Sequence, residues 1–470
     1  MSAELLSRIQ FALTASFHFI YPPISMGLGL LLVVMGVLHL RTRDPLWRQA
    51  SFFWVRIYGL VFAMGVATGV VQEFEFGTNW STYSRFVGNV FGSLLAAEGI
   101  FAFFLEGGFL GLMLFGGNRL GPRLWLLATS LVVFGAHFSA LWILMANSWM
   151  QTPQGYVLQS TQWGELAMMT DFAQVVATPS FLPRLLHVWV ASWMIGASFV
   201  LSVCAWYLLK RRHLEFARRN LTLALWFFAV LSALQAVVFG AQMAITVTNY
   251  QQVKLAAMEG VWQSVPCTPM FIVGWVDEAA QTTTGISIPC LLSILAYQNP
   301  QAVVTGLPAF PQSDWAPVNL TFQVYHLMIT LGGLFPLIGL LGVVAWLWKR
   351  RGERRVFTLR PLLWVFVPTI VLTEAATIAG WWTGEIGRQP WIVWNLLRTA
   401  DAVSPVLDPG QVLLSLVMFA LLYALLFSLF LFLLNRKIQE GPHGLEAEEL
   451  PESLPNTFRE VFRGQPRASY

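Results

Sequence analysis

The side chains in this sequence that could do chemistry sit where they are costly to keep. His18, Glu98, Glu106, His137, His187, His326, Glu374 and Glu385 fall within or at the edge of long apolar runs, and Met328 follows His326 by two residues. An ionisable group in hydrocarbon costs at least a few kcal/mol and so tends to face a bundle interior and mark function. Any one of them could simply be satisfied by a neighbouring helix, and a lone Met commonly fills a packing gap. As a set they have a use. His and Met are common axial ligands of haem, and the apolar faces of the macrocycle would find packing partners among the 36 Phe and 21 Trp of the chain. Glu98 and Glu106, eight residues apart, stand about 80° apart around an ideal α-helix and about 12 Å apart along it. They could line one cavity at two depths, as a proton relay requires. Glu374 and Glu385, eleven apart, return to within about 20° of one line if their helix is continuous.

The elements that must hold these residues are membrane spans. Of 470 residues, 56% are hydrophobic and only 11% charged, with mean hydropathy +0.62. A soluble chain carries about 25% charged residues, so a soluble enzyme, a disordered chain and a disulfide-stapled secreted domain are excluded. Strands with polar lumen residues would hold the hydropathy lower, which leaves helices. Apolar runs of about 20 residues or more recur nine times, near 12–40, 52–72, 91–116, 124–147, 184–209, 220–246, 320–348, 359–382 and 411–435. The predicted fold is therefore all-α, a polytopic membrane bundle of nine transmembrane helices. Pro22 and Pro23 should kink the first span or split it in two.

Cations orient the bundle. Alternate connections carry Arg41, Arg43 and Arg48; Arg119 and Arg123; Lys210, Arg211, Arg212, Arg218 and Arg219; and Lys349, Arg350, Arg351, Arg354 and Arg355, while Arg436 and Lys437 follow the last run. The opposite connections hold only Arg85, Arg184, Lys254, Arg388 and Arg398. The positive-inside rule makes the first set cytoplasmic, with the N-terminus outside and the C-terminus cytoplasmic. No basic region and cleavage site precede the first apolar run, so insertion is expected to use the first span. His187 and Met328 then begin the fifth and seventh spans at the outer end, where such a pair could ligate a low-spin haem, with His18 near the same level. The bundle is expected over 1–438, including a long outer loop at about 247–319, and a polar cytoplasmic tail over 439–470. Cys267 and Cys290 share that outer loop, 23 residues apart, and a disulfide is expected there. Closing such a loop contributes about 3 kcal/mol in the chain-entropy account. Cys204 reads as a small core residue.

Several segments resemble subunit I of the cytochrome bd-type quinol oxidases, in its short Q-loop branch. They are SRIQFALTASFHF at 7–19, GVATGVVQEFEFGTNW at 65–80, FGSLLAAEGIFAFFLEGGFLG at 91–111, SALWILMANSWMQ at 139–151, VKLAAMEGVW at 253–262 and GWWTGEIGRQPW at 380–391. The likeness runs in order from about residue 5 to 435. It implies that His187 and Met328 ligate a low-spin haem b. It implies that His18, Glu98 and Glu385 serve, as ligands or close ligands, a high-spin haem b and a haem d, with a third haem b as the alternative to haem d. Glu106 matches the second carboxylate of a proton route from the cytoplasm. Lys254 and Glu259 match a quinol-interacting pair on the long outer loop, and Trp381 and Arg388 match residues around the haem cluster.

The residues agree with those roles. Glu259 on a wet loop could accept a proton while Lys254 orients a quinone oxygen, although a solvated i, i+5 ion pair would look the same. The planar fork of Arg388 suits a propionate, as it would an interfacial Arg. His326 stands where the family often has Arg, and could alter the low-spin haem's potential or compete as a ligand. The implied function is a respiratory quinol:dioxygen oxidoreductase in the bacterial cytoplasmic (inner) membrane. It would oxidise quinol outside and reduce O2 to water with cytoplasmic protons. The expected partners are a second large subunit (subunit II), a small single-span subunit and the lipid bilayer, with no nucleic acid. A different class, a proton- or ion-coupled transporter relaying through Glu98, Glu106 and Glu374, would also show embedded carboxylates and a proline-broken helix. It has no use for the His/Met pair or for GRQPW.

Overall fold

The computed structural model describes residues 1–442 apart from 118 and 163, and only the backbone of 101–103. Among the described residues nine helices are long and apolar enough to cross a membrane. They are span 1 (Ala3–Thr42), span 2 (Pro45–Thr78), span 3 (Ser81–Phe115), span 4 (Pro122–Gln151), span 5 (Phe181–Lys210), span 6 (Leu214–Tyr250), span 7 (Val318–Leu347), span 8 (Arg360–Ile386) and span 9 (Pro409–Glu440). Each apolar run becomes helical, most of them extended beyond the run at one end or both. Asp44 and Asp408 accept hydrogen bonds from the first turns of spans 2 and 9. The last helix passes the expected 438 boundary by two residues, to Glu440; from residue 443 the expected tail lies outside the described residues.

Span 1 is split as its prolines demand, into Ala3–His18 and Tyr21–Thr42. Pro22 and Pro23 occupy the first turn of the second piece, where a missing N–H costs nothing. Spans 1 and 5 meet backbone to backbone. A Cβ on Gly27 would stand 2.1 Å from the Ser192 carbonyl, and one on Gly196 would stand 2.1 Å from the Gly27 carbonyl carbon. With lipid as apolar as Leu, such close van der Waals contact is what holds membrane helices together. Around this seam Tyr21, Leu28, Trp54, Tyr58, Phe199 and Phe228 form the main core.

The connections fall at two ends. At one end Arg219 pairs with Asp44, Arg218 with Glu353, and Arg212 with Gln439 at the end of span 9. Four cation-bearing segments are thus gathered there, as their charge suggested. At the other end the 251–317 connection folds on itself. It comprises a short helix Gln252–Glu259, a hairpin of Met270–Asp277 with Thr282–Ile288, and a helix Leu291–Tyr297. Cys267 and Cys290 are disulfide-bonded within it. Leu255, Met258, Trp262, Val276 and Leu307 form its small core and pack on Phe322 and Tyr325 of span 7. The hairpin was not foreseen from sequence; it and three other two-stranded hairpins are confined to connections, so the bundle remains all-α.

Candidate redox and proton-transfer site

Two spans are interrupted by π-helix, at Glu98–Phe103 in span 3 and Gln235–Phe239 in span 6. Such wide turns are uncommon and recur at functional sites. In span 3 the turn changes the geometry read from sequence. A π turn takes up one extra residue, so eight residues rotate as seven would, bringing Glu98 and Glu106 from about 80° to within about 20° of one line. Ser139 of span 4 donates to Glu98 Oε1 at 2.7 Å, and the Tyr58 hydroxyl lies 3.4 Å from Glu106 Oε1. Glu374 and Glu385 share the continuous helix Thr369–Ile386, as stacking requires. Their surroundings differ. Both Glu374 oxygens are buried without a hydrogen-bond partner, whereas Glu385 accepts from Asn147 at 2.9 Å and is ion-paired with Arg388.

Glu385 sits in a cluster with more cations than anions. Lys254 Nζ reaches from the outer loop to within 3.2 Å of Gln151 Oε1 and 3.0 Å of the Gly384 carbonyl. Arg184, in the first turn of span 5, and Arg388 act electrostatically on both Lys254 and Glu385. Arg184 Nε is buried without a partner. Burial, then the Arg184 and Arg388 charges, hold the Lys254 amine well below the usual lysine range, and Glu385 only partly opposes them. Three cations around one carboxylate in the protein interior call for another anion. The approach is tight as well, since a Cβ on Gly387 would stand 3.1 Å from Lys254 Cε.

The embedded histidines separate by hydrogen bonding. Thr68 Oγ1 lies 3.0 Å from His18 Nδ1, and its single proton goes to the Met64 carbonyl at 2.8 Å. With its proton used in this way, the hydroxyl suits the tautomer carrying Nδ1–H, which would leave the Nε2 lone pair for a ligand, while the Gly65 backbone also hydrogen-bonds the ring. His137 has no such freedom, because Nδ1 meets the Val133 carbonyl at 2.7 Å and Nε2 accepts from Trp193 at 2.7 Å. His326 has a carbonyl against each nitrogen, Phe322 at 2.9 Å and Phe271 at 2.8 Å, so one nitrogen donates and the other is blocked in either neutral tautomer. The expectation that His326 could compete as a haem ligand is therefore corrected: it ties the hairpin to span 7. His187 lies two turns into span 5 and contacts Gln235 of the π turn. Met328 Sδ lies where a Cβ on Gly380 of span 8 would be 2.8 Å away. Trp381, next in sequence, meets Phe11 and Phe19 of span 1. Among the described residues no group of three or more His, Cys, Asp or Glu could hold a bare metal ion. Separate ligands with free lone pairs suit a macrocycle that brings its own equatorial nitrogens, and the surplus cations suit its propionates.

Glu259 departs from expectation. It is 2% exposed, as is Lys254, so the loop helix carries them in protein rather than in water. Five residues apart, they point about 140° apart around the helix, and no ion pair joins them. Tyr325 and His326 face the Glu259 carboxyl, whose Oε2 is 3.9 Å from His326 Nε2 and has no hydrogen-bond partner. Burial raises its pKa to about 7, partly offset by the Tyr325 hydroxyl. The residues that sequence reading missed are the neutral or structural-looking ones: Gln151, Gln251, Asn147, Ser139, Gln235 and Arg184. Gln151 and Gln251, joined at 3.0 Å, close the site's outer end. An amide in an apolar span is nearly as informative as a charge, and that signal was available.

A family model described as cytochrome bd terminal oxidase subunit I matches residues 6–442. This chain belongs to that family. As a bd oxidase subunit I it is 34% identical over 477 residues to "Cytochrome bd ubiquinol oxidase subunit 1" of Bacillus subtilis (strain 168), covering 99% of both chains. It is 34% identical to "Cytochrome bd-II ubiquinol oxidase subunit 1" of Escherichia coli (strain K12), covering 94% of this chain and 98% of that one. The bd oxidase structure from Geobacillus thermodenitrificans superposes with a TM-score of 0.84 at 30% identity, covering 94% of this chain and 99% of that chain. The bd family is one of oxidoreductases, and membership makes this chain a multi-pass membrane subunit of such an enzyme.

Proposed function

We propose that this chain is the haem-bearing subunit of a quinol:dioxygen oxidoreductase of the bacterial cytoplasmic membrane, with its outer loop facing away from the cytoplasm. The observation that carries the reading is the buried cluster in which Arg184, Arg388 and Lys254 surround the single carboxylate of Glu385. His187 and Met328 would hold the low-spin haem b; His18, Glu98 and Glu385 would serve the high-spin haem b and the haem d, or a third haem b in its place. When bound, the haems carry electrons from quinol and reduce O2 to water.

The chain's own residues do the rest. Glu259, unpartnered at Oε2 and poised near neutral pH, takes a quinol proton as a general base. Lys254, held by Gln151 and Gly384, fixes the quinol-binding helix to the end of span 8. Arg184 and Arg388 supply guanidinium donors for propionates, and Trp381 packs the cluster against span 1. Glu106 and Glu98, brought into line by the π turn, deliver protons from the cytoplasmic side. Protons released outside and taken up inside give charge separation without pumping. Subunit II and a small single-span subunit would cover the outward faces of spans 3 and 9, where Phe104, Leu421 and Leu425 are exposed.

The test is oxygen uptake by the purified complex with quinol as sole donor, alongside its pyridine haemochrome. Quinol-dependent uptake by a coloured protein is expected. A folded, colourless protein with no uptake contradicts the oxidase reading and returns the embedded carboxylates to a transporter.

A further inference from the structure

We infer that Gln235 is the positioning residue of His187: its side-chain amide is the partner of the imidazole Nδ1, and so governs how the other ring nitrogen binds iron. The inference rests on the proposed role of His187 as an axial ligand.

Gln235 opens the π turn Gln235–Phe239 of span 6, and that turn packs against both span 5 and span 7, the helices bearing His187 and Met328. Its Nε2 lies 3.0 Å from the His187 backbone carbonyl and 3.1 Å from His187 Nδ1. Its Oε1 is buried with no partner. An amide oxygen left unpaired in the interior costs about 1–3 kcal/mol, so the arrangement asks for a donor. Iron supplies one indirectly. A neutral imidazole that binds through Nε2 carries its proton on Nδ1, and ligating histidines almost always give that proton to an acceptor. A half-turn of the Gln235 amide about its last bond exchanges its two ends. The oxygen then receives Nδ1–H, while the amide nitrogen gives up the His187 carbonyl and takes the unpartnered place the oxygen held, so the ring proton is satisfied at the cost of that bond. His18 needs no such device, because Thr68 already accepts from its Nδ1.

One competitor is present. The Phe239 backbone, from the same π turn, also hydrogen-bonds the His187 ring. Substitution of residue 235 leaves that carbonyl in place, so the two acceptors can be told apart.

The experiment uses the intact oxidase complex carrying Gln235→Leu or Gln235→Glu. The low-spin haem is followed by its reduced-minus-oxidised spectrum and its midpoint potential. A stronger acceptor on Nδ1–H makes the imidazole a better donor and favours ferric iron. Gln235→Glu should therefore shift the potential down, and Gln235→Leu, which removes the acceptor, should shift it up. Opposite shifts are the signature, because a role in packing alone would move both the same way. Unmoved potentials, or shifts of one sign, overturn the inference and leave Nδ1 to Phe239. If Gln235→Leu does not retain the haem, Gln235→Met takes its place, because a new carboxylate lowers the potential by its charge alone and the apolar variant is needed to decide. In parallel, a His187→Ala complex that keeps its low-spin band overturns the ligand reading itself. Loss of that band with unmoved potentials in the residue-235 variants overturns only the role of Gln235.

Discussion

Hydrogen bonds rather than sequence decide which of the candidate histidines His18, His137, His187 and His326 can ligate. Thr68 at His18 Nδ1 favours the tautomer that turns a lone pair to Nε2, whereas His137 and His326 have a protein group against both nitrogens. Their types and approximate depths were legible in the sequence. Their partners were not, because Thr68, Trp193 and Phe271 are each about 50 residues or more away along the chain, and only packing brings them close. Glu259 shows the same limit. On the sequence it read as a loop residue in water, yet the loop's own core buries it under Tyr325 and His326. Its acid form therefore persists to a pKa of about 7, against the ordinary 4.5. A base must be ionised to accept a proton, so kcat/KM for quinol should rise with pH through about 7. The sign for stability is opposite: the folded state favours the protonated carboxyl, so the loop loses stability as pH rises from 4.5 to about 7. In Glu259→Gln the inflection in the kcat/KM profile should disappear with the activity lowered, and a profile unchanged by the substitution would remove Glu259 from the proton path.

At the scale of elements, the apolar runs marked all nine helices, and Pro22 and Pro23 marked the break in the first. The π turns and the outer hairpin were not legible. A π turn is one residue of mismatch in an otherwise helical pattern, with no composition of its own, and the hairpin's strands are set by pairing at a distance from the helices they serve. The end of the helix proposed to meet quinol illustrates a signal that could be read. Gly260 stops Gln252–Glu259 with φ +62°, and a Cβ there would stand 2.7 Å from Thr283 Oγ1 and 3.2 Å from Phe322. The Thr283 hydroxyl meanwhile donates to the Gly260 carbonyl at 2.7 Å. Any side chain meets both left-handed backbone strain, about 1–2 kcal/mol, and a wall formed by the hairpin and span 7. Gly260→Ala should therefore raise the KM for quinol several-fold with little change in haem content, and should speed proteolysis of the outer loop. Unaltered KM and proteolysis would mean that the loop does not hold the quinol helix in place.

For the whole molecule, the division of connections by charge is realised as two physical ends. Arg219–Asp44 and Arg218–Glu353 gather one end, and the Glu385–Arg388–Lys254 cluster lies at the other. Charge asymmetry then assigns the cation-rich end to the cytoplasm. A single cysteine introduced at Arg351, in the hairpin of Lys349–Arg350 with Glu353–Arg354 between spans 7 and 8, in a chain lacking Cys204, should resist a membrane-impermeant maleimide in intact cells and react in inverted vesicles. The reverse pattern would turn the bundle over. At the end of the Glu385–Arg388–Lys254 cluster, His187 and Met328 are proposed to hold a low-spin haem where Lys254 and Glu259 would meet quinol. The direct measurement is the reduced-minus-oxidised spectrum of the purified complex carrying His187→Ala. The account predicts loss of the low-spin haem b band with the high-spin bands retained and quinol-driven oxygen uptake abolished. A low-spin band that persists at full intensity contradicts it.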